Sequence, residues 1–298
     1  EKLMTTEVAN MIIEKIDRIL NDNIFEGINI HYFGGEPLLN IPVLIYLDEN
    51  IKKITDKIGI VYKAFLTTNG SMLSKELLQK VKFSSIQLTF DGLEKTHDRL
   101  RVSDHFHFKE EIELIENIMN FSQAKVLLRT NICKENKDEI IALHKYIFEK
   151  FGNERIEINP NRTIKYHQDD SFEMLSVQEY AEVAYQIKLL WSEQKGKFEL
   201  PVPRSTPCKF PYGNAYAISP EGYCTFCSGS MDQEKKYFFD VDIENKKMFS
   251  VRKECKKCNI LPLCLGGCII QYNLRAGACT YEKYELKNIL ISYIKHIS

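Results

Sequence analysis

Apolar residues along the first 160 positions switch repeatedly between two periods. Val8, Met11, Ile12, Ile16, Ile19 and Leu20 recur at the spacing of one helix face, behind Thr5 and Thr6, which suit an N-cap. Ile28–Phe33 then reads as a strand that stops at Gly34-Gly35. The alternation continues with a helix around 41–57 and a strand Ile60–Thr67 that ends at Asn69-Gly70. A short helix Ser74–Val81 and a strand Ser85–Phe90 ending at Asp91-Gly92 follow. Helix 109–121, strand 125–131, helix 138–151 and strand 155–159 complete the series. Strand and helix in turn predict a parallel sheet with helices outside, either an open sheet or a barrel. In parallel α/β barrels the chemistry sits at the C-terminal ends of the strands, and the polar and glycine-rich residues of this chain collect there. A helix of about 176–194 comes next. Leu200–Pro207, with three prolines in eight residues, reads as a linker, and a last helix covers about 281–297.

Charge narrows the class. The 298 residues carry 40 Lys and Arg against 41 Asp and Glu, a net charge of −1, which argues against a dedicated nucleic-acid protein. No uncharged apolar run approaches 18 residues, so no membrane span is expected. The start has no basic-then-apolar signal-peptide pattern, and a cytoplasmic location is expected.

Cysteine changes the picture most. Of nine, only Cys133 precedes position 208; with no partner cysteine nearby it reads as a structural thiol. The other eight fall within 72 residues. A disulfide scaffold would be short and secreted, so the cluster points to metal or iron–sulfur ligation. The spacing is Cys208-x13-Gly222-x4-Cys227, a gap, Cys255-x2-Cys258-x5-Cys264-x3-Cys268, a second gap, and Cys279. Zinc modules usually pair two C-x2-C knuckles 15–20 residues apart. Here the four central cysteines are compressed, as suits a cube-shaped cluster, and eight thiolates suffice for two [4Fe–4S] clusters.

This module resembles SPASM, the twin-cluster C-terminal extension of many radical S-adenosylmethionine (SAM) enzymes. The resemblance implies an interleaved ligand set. Cys208, Cys227 and Cys268 would hold the first auxiliary cluster, with Cys224 as the candidate fourth ligand or else a plain thiol. Cys255, Cys258, Cys264 and Cys279 would hold the second.

Residues 5–160 resemble the same enzymes. Gly34-Gly35-Glu36-Pro37 is similar to the family's GGEP turn, Thr67-Thr68-Asn69-Gly70 to its next strand ending, and Leu88–Gly92 with His97-Asp98 and Arg101 to its following signature. The likeness implies SAM contacts from Gly34, Gly35, Glu36, Thr68, Asn69, Thr89 and Arg101, with Arg129 as a further candidate. A surface salt bridge of Arg101, with Asp98 as its nearby carboxylate, is the competing reading, and Asp91 and His97 read as structural. The strand ending Ile156-Glu157-Ile158-Asn159-Pro160 is expected to pass the adenine. The implied fold is a partial parallel (β/α)6 TIM-like barrel over 1–200, a SPASM domain over 201–280 and a C-terminal helix over 281–298.

The family's C-x3-C-x2-C spacing, which holds the SAM-binding cluster, is absent from this chain. The expectation is that it lies upstream, lost by truncation, cleavage or disorder. The implied activity is hydrogen abstraction from a peptide by a 5′-deoxyadenosyl radical. The product would be an oxidised or cross-linked ribosomal peptide, joined by a thioether or carbon–carbon bond. A flavodoxin or ferredoxin would donate the electrons. Anaerobic sulfatase maturation is the alternative within this class, and a zinc-stabilised scaffold the alternative outside it. Sulfatase maturases carry an aspartate base after the cysteine that corresponds to Cys227. Here Ser228 stands there and the next carboxylate is Asp232, so formylglycine formation is not expected.

Overall fold

The computed structural model describes residues 2–297 apart from 102, 104–105, 153–154, 166–171, 206–207, 209–214, 226–235, 241–250 and 269–278. Helix α1 (Thr6–Asp22) starts where the Thr5 hydroxyl accepts the Val8 N–H at 3.4 Å, and it buries Ala9, Ile12, Ile16 and Leu20. Strands β1 (Gly27–Tyr32), β2 (Val61–Thr67), β3 (Phe83–Thr89), β4 (Lys125–Ile132) and β5 (Ile156–Arg162) then form one sheet. All its pairings are parallel, and the spatial order is the chain order, β1 to β5. The crossovers are α2 (Ile41–Ile58), α3 (Lys75–Lys80), α4 (Glu94–Leu100) with α5 (Phe108–Phe121), and α6 (Lys137–Phe151).

A strand order without reversal is that of a barrel wall, not of a doubly wound sheet with its switch point. The wall has five strands among the described residues, one fewer than (β/α)6 counts. Pro160 sits inside β5, where its missing N–H is tolerated because β5 is an edge strand.

The outward faces of the strands form the core. Ile86, Leu88 and Phe90 from the β3 segment and Val126 and Leu128 from β4 are fully buried against Ile115 and Ile118 of α5 and Ile140, Leu143 and Ile147 of α6. Each such side chain contributes roughly 1.5–3 kcal/mol of transfer free energy.

Helix α4 was not expected from periodicity. Its sequence EKTHDRL has one apolar residue, and the side chains it buries are the polar Thr96 and His97. Strand β3 also begins at Phe83, two residues earlier than its apolar pattern suggests.

Beyond the sheet, α7 (Val177–Lys195) begins with a Ser176/Glu179 capping box and packs against the C-terminal helix α8 (Glu282–Ile297). Tyr185 and Ser292 share a 2.6 Å hydroxyl contact, and Lys188 meets Glu285 at 2.6 Å. The proline-rich segment is tied down: Arg204 donates its N–H to Pro262 O at 2.9 Å and its guanidinium to Glu282 at 2.8 Å.

A small antiparallel sheet, β6 (Ala217–Ile218), β7 (Tyr223–Thr225) and β8 (Lys236–Tyr237), was not anticipated, its strands being too short to show a period. It seats Cys224 and Phe238 on Ile12, Ile16 and Leu20 of α1. Gly222 closes the β6–β7 turn at φ +86°, donating its N–H to Ser219 O at 2.9 Å.

One core group makes stability depend on pH. His144 on α6 is fully buried, accepts the Trp191 indole N–H at 3.0 Å and faces the Thr130 hydroxyl at 3.4 Å. Burial pushes its pKa down from 6.5 to about 3. Between those values the unfolded chain binds a proton that the folded chain refuses. Stability is therefore full above about pH 6.5 and is lost as pH falls, by about 1.4 kcal/mol per unit. Urea titrations of His144→Gln should show a slope between pH 6 and 5 flatter than wild type by about that amount. Parallel slopes would refute the assignment.

Candidate active site and cysteine cavity

Side chains alternate across a strand, so the residues between the core positions face the inner side of the wall. Those positions are His31 on β1, Phe65 and Thr67 on β2, Ser85, Gln87 and Thr89 on β3, Leu127, Arg129 and Asn131 on β4, and Glu157, Asn159 and Asn161 on β5. The inner face is thus largely polar. Asn159 donates its amide N–H to Gln87 Oε1 at 3.0 Å, bridging over β4, and Arg129 Nε donates to Asn131 Oδ1 at 2.9 Å. His31 Nε2 lies 2.8 Å from the Thr67 hydroxyl, with its ring against Phe33 and Phe65; burial lowers its pKa.

Two carboxylates organise the strand ends. Gly34 and Gly35 form the bend after β1, and a Cβ added at Gly34 would meet no atom within 4 Å. Glu36 follows. Its Oε1 accepts the Leu38 N–H at 3.0 Å and the Thr68 hydroxyl at 2.7 Å, and its Oε2 accepts the Asn69 N–H at 2.7 Å. Glu36, Thr68 and Asn69 are therefore brought together.

Asp91 is the second organiser. Its Oδ1 accepts the Asn131 N–H at 3.2 Å, its Oδ2 faces Arg101 Nη1 at 3.4 Å, and its backbone O accepts the Asn136 amide at 2.8 Å. The carboxylate partner of Arg101 is thus Asp91; Asp98 instead accepts the Phe108 N–H at 2.8 Å. Thr89, Arg129 and Asn159 occupy one register row across β3, β4 and β5.

Beneath this loop, His97 Nδ1 accepts the Asp91 N–H at 3.3 Å, which leaves Nε2 to donate to the buried Glu111 at 3.2 Å. Burial raises the Glu111 pKa. Cys133 is buried at the end of β4 with its N–H on Asn136 Oδ1 at 2.9 Å, and burial raises its thiol pKa. Gln87, Asn131, Asn159 and His31 were not singled out from sequence, although the in–out alternation of their strands marks them.

Cys255, Cys258, Cys264 and Cys279 line one cavity. Leu265, Gly266 and Gly267 follow Cys264 with φ of 47°, 86° and 70°, a left-handed run that turns backbone N–H groups inward. Gly266 N–H points at Cys264 Sγ at 3.4 Å, and Arg252 Nη2 at Cys255 Sγ at 3.7 Å. A Cβ on Gly267 would collide with Thr280 Cγ2 at 2.3 Å. One N–H and one guanidinium are thus aimed at sulfur.

Cys208 and Cys268 are half-buried, while Cys227, Ser228 and Asp232 lie outside the described residues. Cys224 is buried in the apolar cluster on α1, which pushes its thiol up to about 11. Among the described residues, no three His, Cys, Asp or Glu side chains converge as a site for a single metal ion, and no helix is long and apolar enough to cross a membrane.

No model of a known protein family matches the chain, and no curated relative is found. Solved structures do match. anSMEcpe with bound AdoMet and the Kp18Cys peptide superposes with a TM-score of 0.70 at 18% identity, over 99% of this chain and 90% of that one. anSMEcpe with AdoMet alone gives 0.70 at 16% identity, over 100% and 93%. Streptococcus suis SuiB bound to S-adenosylmethionine gives 0.56 at 17% identity, over 88% and 66%. The chain has the fold of these radical SAM enzymes.

The Glu36 carboxylate is expected to be the main brace of the first strand end. Hydrogen bonds to a charged acceptor are worth roughly 1.5–3 kcal/mol each and are not additive. Glu36→Ala should therefore cost about 2–4 kcal/mol in urea unfolding, with Glu36→Gln recovering part of it. A loss below about 0.5 kcal/mol, the range of ordinary surface substitutions, would show that the carboxylate is not a brace.

Proposed function

We propose that this protein is a radical SAM enzyme that modifies a peptide. The observation that carries the reading is a cavity lined by four cysteines, attached to a barrel wall whose inner face is polar. The fold shared with AdoMet-bound and peptide-bound structures supports it.

The residues fit the groups this reading requires. Cys255, Cys258, Cys264 and Cys279 present four soft ligands to one space, with the Gly266 N–H directed at Cys264 Sγ, and would hold the second auxiliary [4Fe–4S] cluster. Cys208, Cys227 and Cys268 are assigned to the first. The apolar packing of Cys224 on α1 supports a structural thiol over a fourth ligand. SAM is assigned to the strand ends: the Gly34-Gly35 bend with open space at Gly34, the loop braced by Glu36 with Thr68 and Asn69, and the Thr89 and Arg129 row. Arg101, held by Asp91, is placed to pair with a carboxylate. When bound, the clusters and SAM supply one-electron chemistry that makes a hydrogen-abstracting radical.

The chain's own part is positioning. His31, Gln87 and Asn159 offer hydrogen bonds to a peptide laid along the inner face. Ser228 in place of an aspartate supports oxidation or cross-linking of a ribosomal peptide over formylglycine formation. A serine hydroxyl is too weak a base at neutral pH for that step.

Anaerobic reconstitution should give about eight irons with matching labile sulfide. Cys258→Ala should lose about half the iron, and Cys224→Val should keep it. Zinc without labile sulfide would end the cluster reading, and iron loss in Cys224→Val would make Cys224 a ligand.

The full-length enzyme, with SAM and reductant, should leave a sulfatase-type peptide without an aldehyde. It should remove two hydrogens from the precursor peptide encoded beside its gene. Mass spectrometry decides, and the reverse pair of masses would favour sulfatase maturation.

A further inference from the structure

The cysteine cavity carries a charge that its chemistry does not need. Residues 246–258 hold six Lys and Arg against one Glu, in a chain of net charge −1. Lys253, Lys256 and Lys257 are exposed around the Cys255/Cys258 knuckle, and Lys283 of α8 is exposed where it joins Arg252 in the cavity wall. Arg252 and the exposed Glu254 lie 3.5 Å apart, so one carboxylate faces five cations.

Three exposed lysines of the barrel helices are neutralised. Lys80 meets Glu49 at 3.5 Å, Lys109 meets Glu94 at 2.9 Å and Lys150 meets Glu116 at 3.0 Å. No carboxylate of the described residues lies within ion-pair distance of Lys253, Lys256, Lys257 or Lys283. An unneutralised patch costs self-repulsion and raises the local concentration of an oppositely charged partner.

We propose that this rim is the docking surface for a small acidic electron-transfer protein of the flavodoxin or ferredoxin class. The inference rests on the cluster reading above, because such a carrier needs a redox centre close beneath the surface it touches. Three features select this partner. Arg252 and Lys283 of the patch line the cavity that Cys255, Cys258, Cys264 and Cys279 share, so a bound carrier would sit over it. It is small, as suits redox encounter complexes, whose interfaces lie at the low end of the size range. Its host chain is near neutral, unlike proteins that track nucleic acid with an overall basic charge. Complementary charge would set the encounter rate and orientation of such a complex more than its final affinity.

The test uses the full-length reconstituted protein and an acidic FMN-loaded flavodoxin as probe, with the Kd read by calorimetry at low ionic strength. Binding should weaken about tenfold or more when salt is raised to about 0.3 M, which shortens the screening length. Lys253→Glu/Lys256→Glu/Lys257→Glu should raise the Kd about tenfold or more, and Lys283→Glu alone, outside the knuckle, about threefold. Lys80→Glu/Lys109→Glu/Lys150→Glu, reversing as many charges on the barrel helices, should leave it unchanged. Iron and sulfide content, measured on each variant, must match wild type for its Kd to be read as docking.

No binding by wild type, an unchanged Kd in both rim variants, or a DNA duplex bound as tightly as the flavodoxin would overturn the proposal. Absence of labile sulfide from the wild type would instead sink the cluster reading. The docking proposal, which needs a redox centre beneath the rim, would fall with it, whereas unchanged Kd values with labile sulfide present would overturn the docking surface alone.

Discussion

A parallel sheet is normally apolar on both faces, because helices cover both. This one is apolar outside and largely polar inside, and that asymmetry is the constraint on which the rest of the structure depends. Burial drives only the outer contact, where Ile86, Leu88, Val126 and Leu128 meet α5 and α6. The inner side chains must satisfy one another or a ligand. They do so locally: His31 with Thr67, Gln87 with Asn159, Arg129 with Asn131. Asn159 reaches Gln87 over the intervening β4, so polar pairing on this face links strands that are not neighbours in the sheet.

Loops at the open end of such a wall have little apolar surface to hold them. Two carboxylates substitute for it. Glu36 gathers three donors from its own turn and from the segment after β2, and Asp91 links the end of β3 to Arg101 and to Asn131 on β4. Each fastens one strand end to its neighbour, so the positions suited to binding are held before any ligand arrives. Beneath Asp91, the buried His97–Glu111 contact anchors α4 on α5, a helix that local propensity alone would not form.

The cysteine-rich part is organised by backbone conformation instead. Three successive left-handed residues after Cys264 aim an N–H at its sulfur, and Gly267 fits because Thr280 leaves no room for a side chain. The small sheet rests on α1 through Cys224 and Phe238, so the first helix of the barrel half also supports residues near the other end of the chain.

By itself the sequence determined the order of helices and strands through β5, because each segment buries one face and so carries its own period. It also determined the cysteine spacing, and through the family resemblance that spacing carries it implied the grouping of Cys255, Cys258, Cys264 and Cys279, which line one cavity. What it could not show is anything set by contacts between distant segments. The polar burial of His97 and Thr96 hid α4 behind a hydrophilic pattern. The partner of Arg101 proved to be Asp91 and not the nearer Asp98, because Asp98 is spent on capping α5 through the Phe108 N–H. Cys224, three residues from Cys227, faces the apolar side of its strand because α1 packs there. In each case the deciding term is the desolvation or pairing of a side chain by residues far along the chain, and only the tertiary structure brings those residues to it.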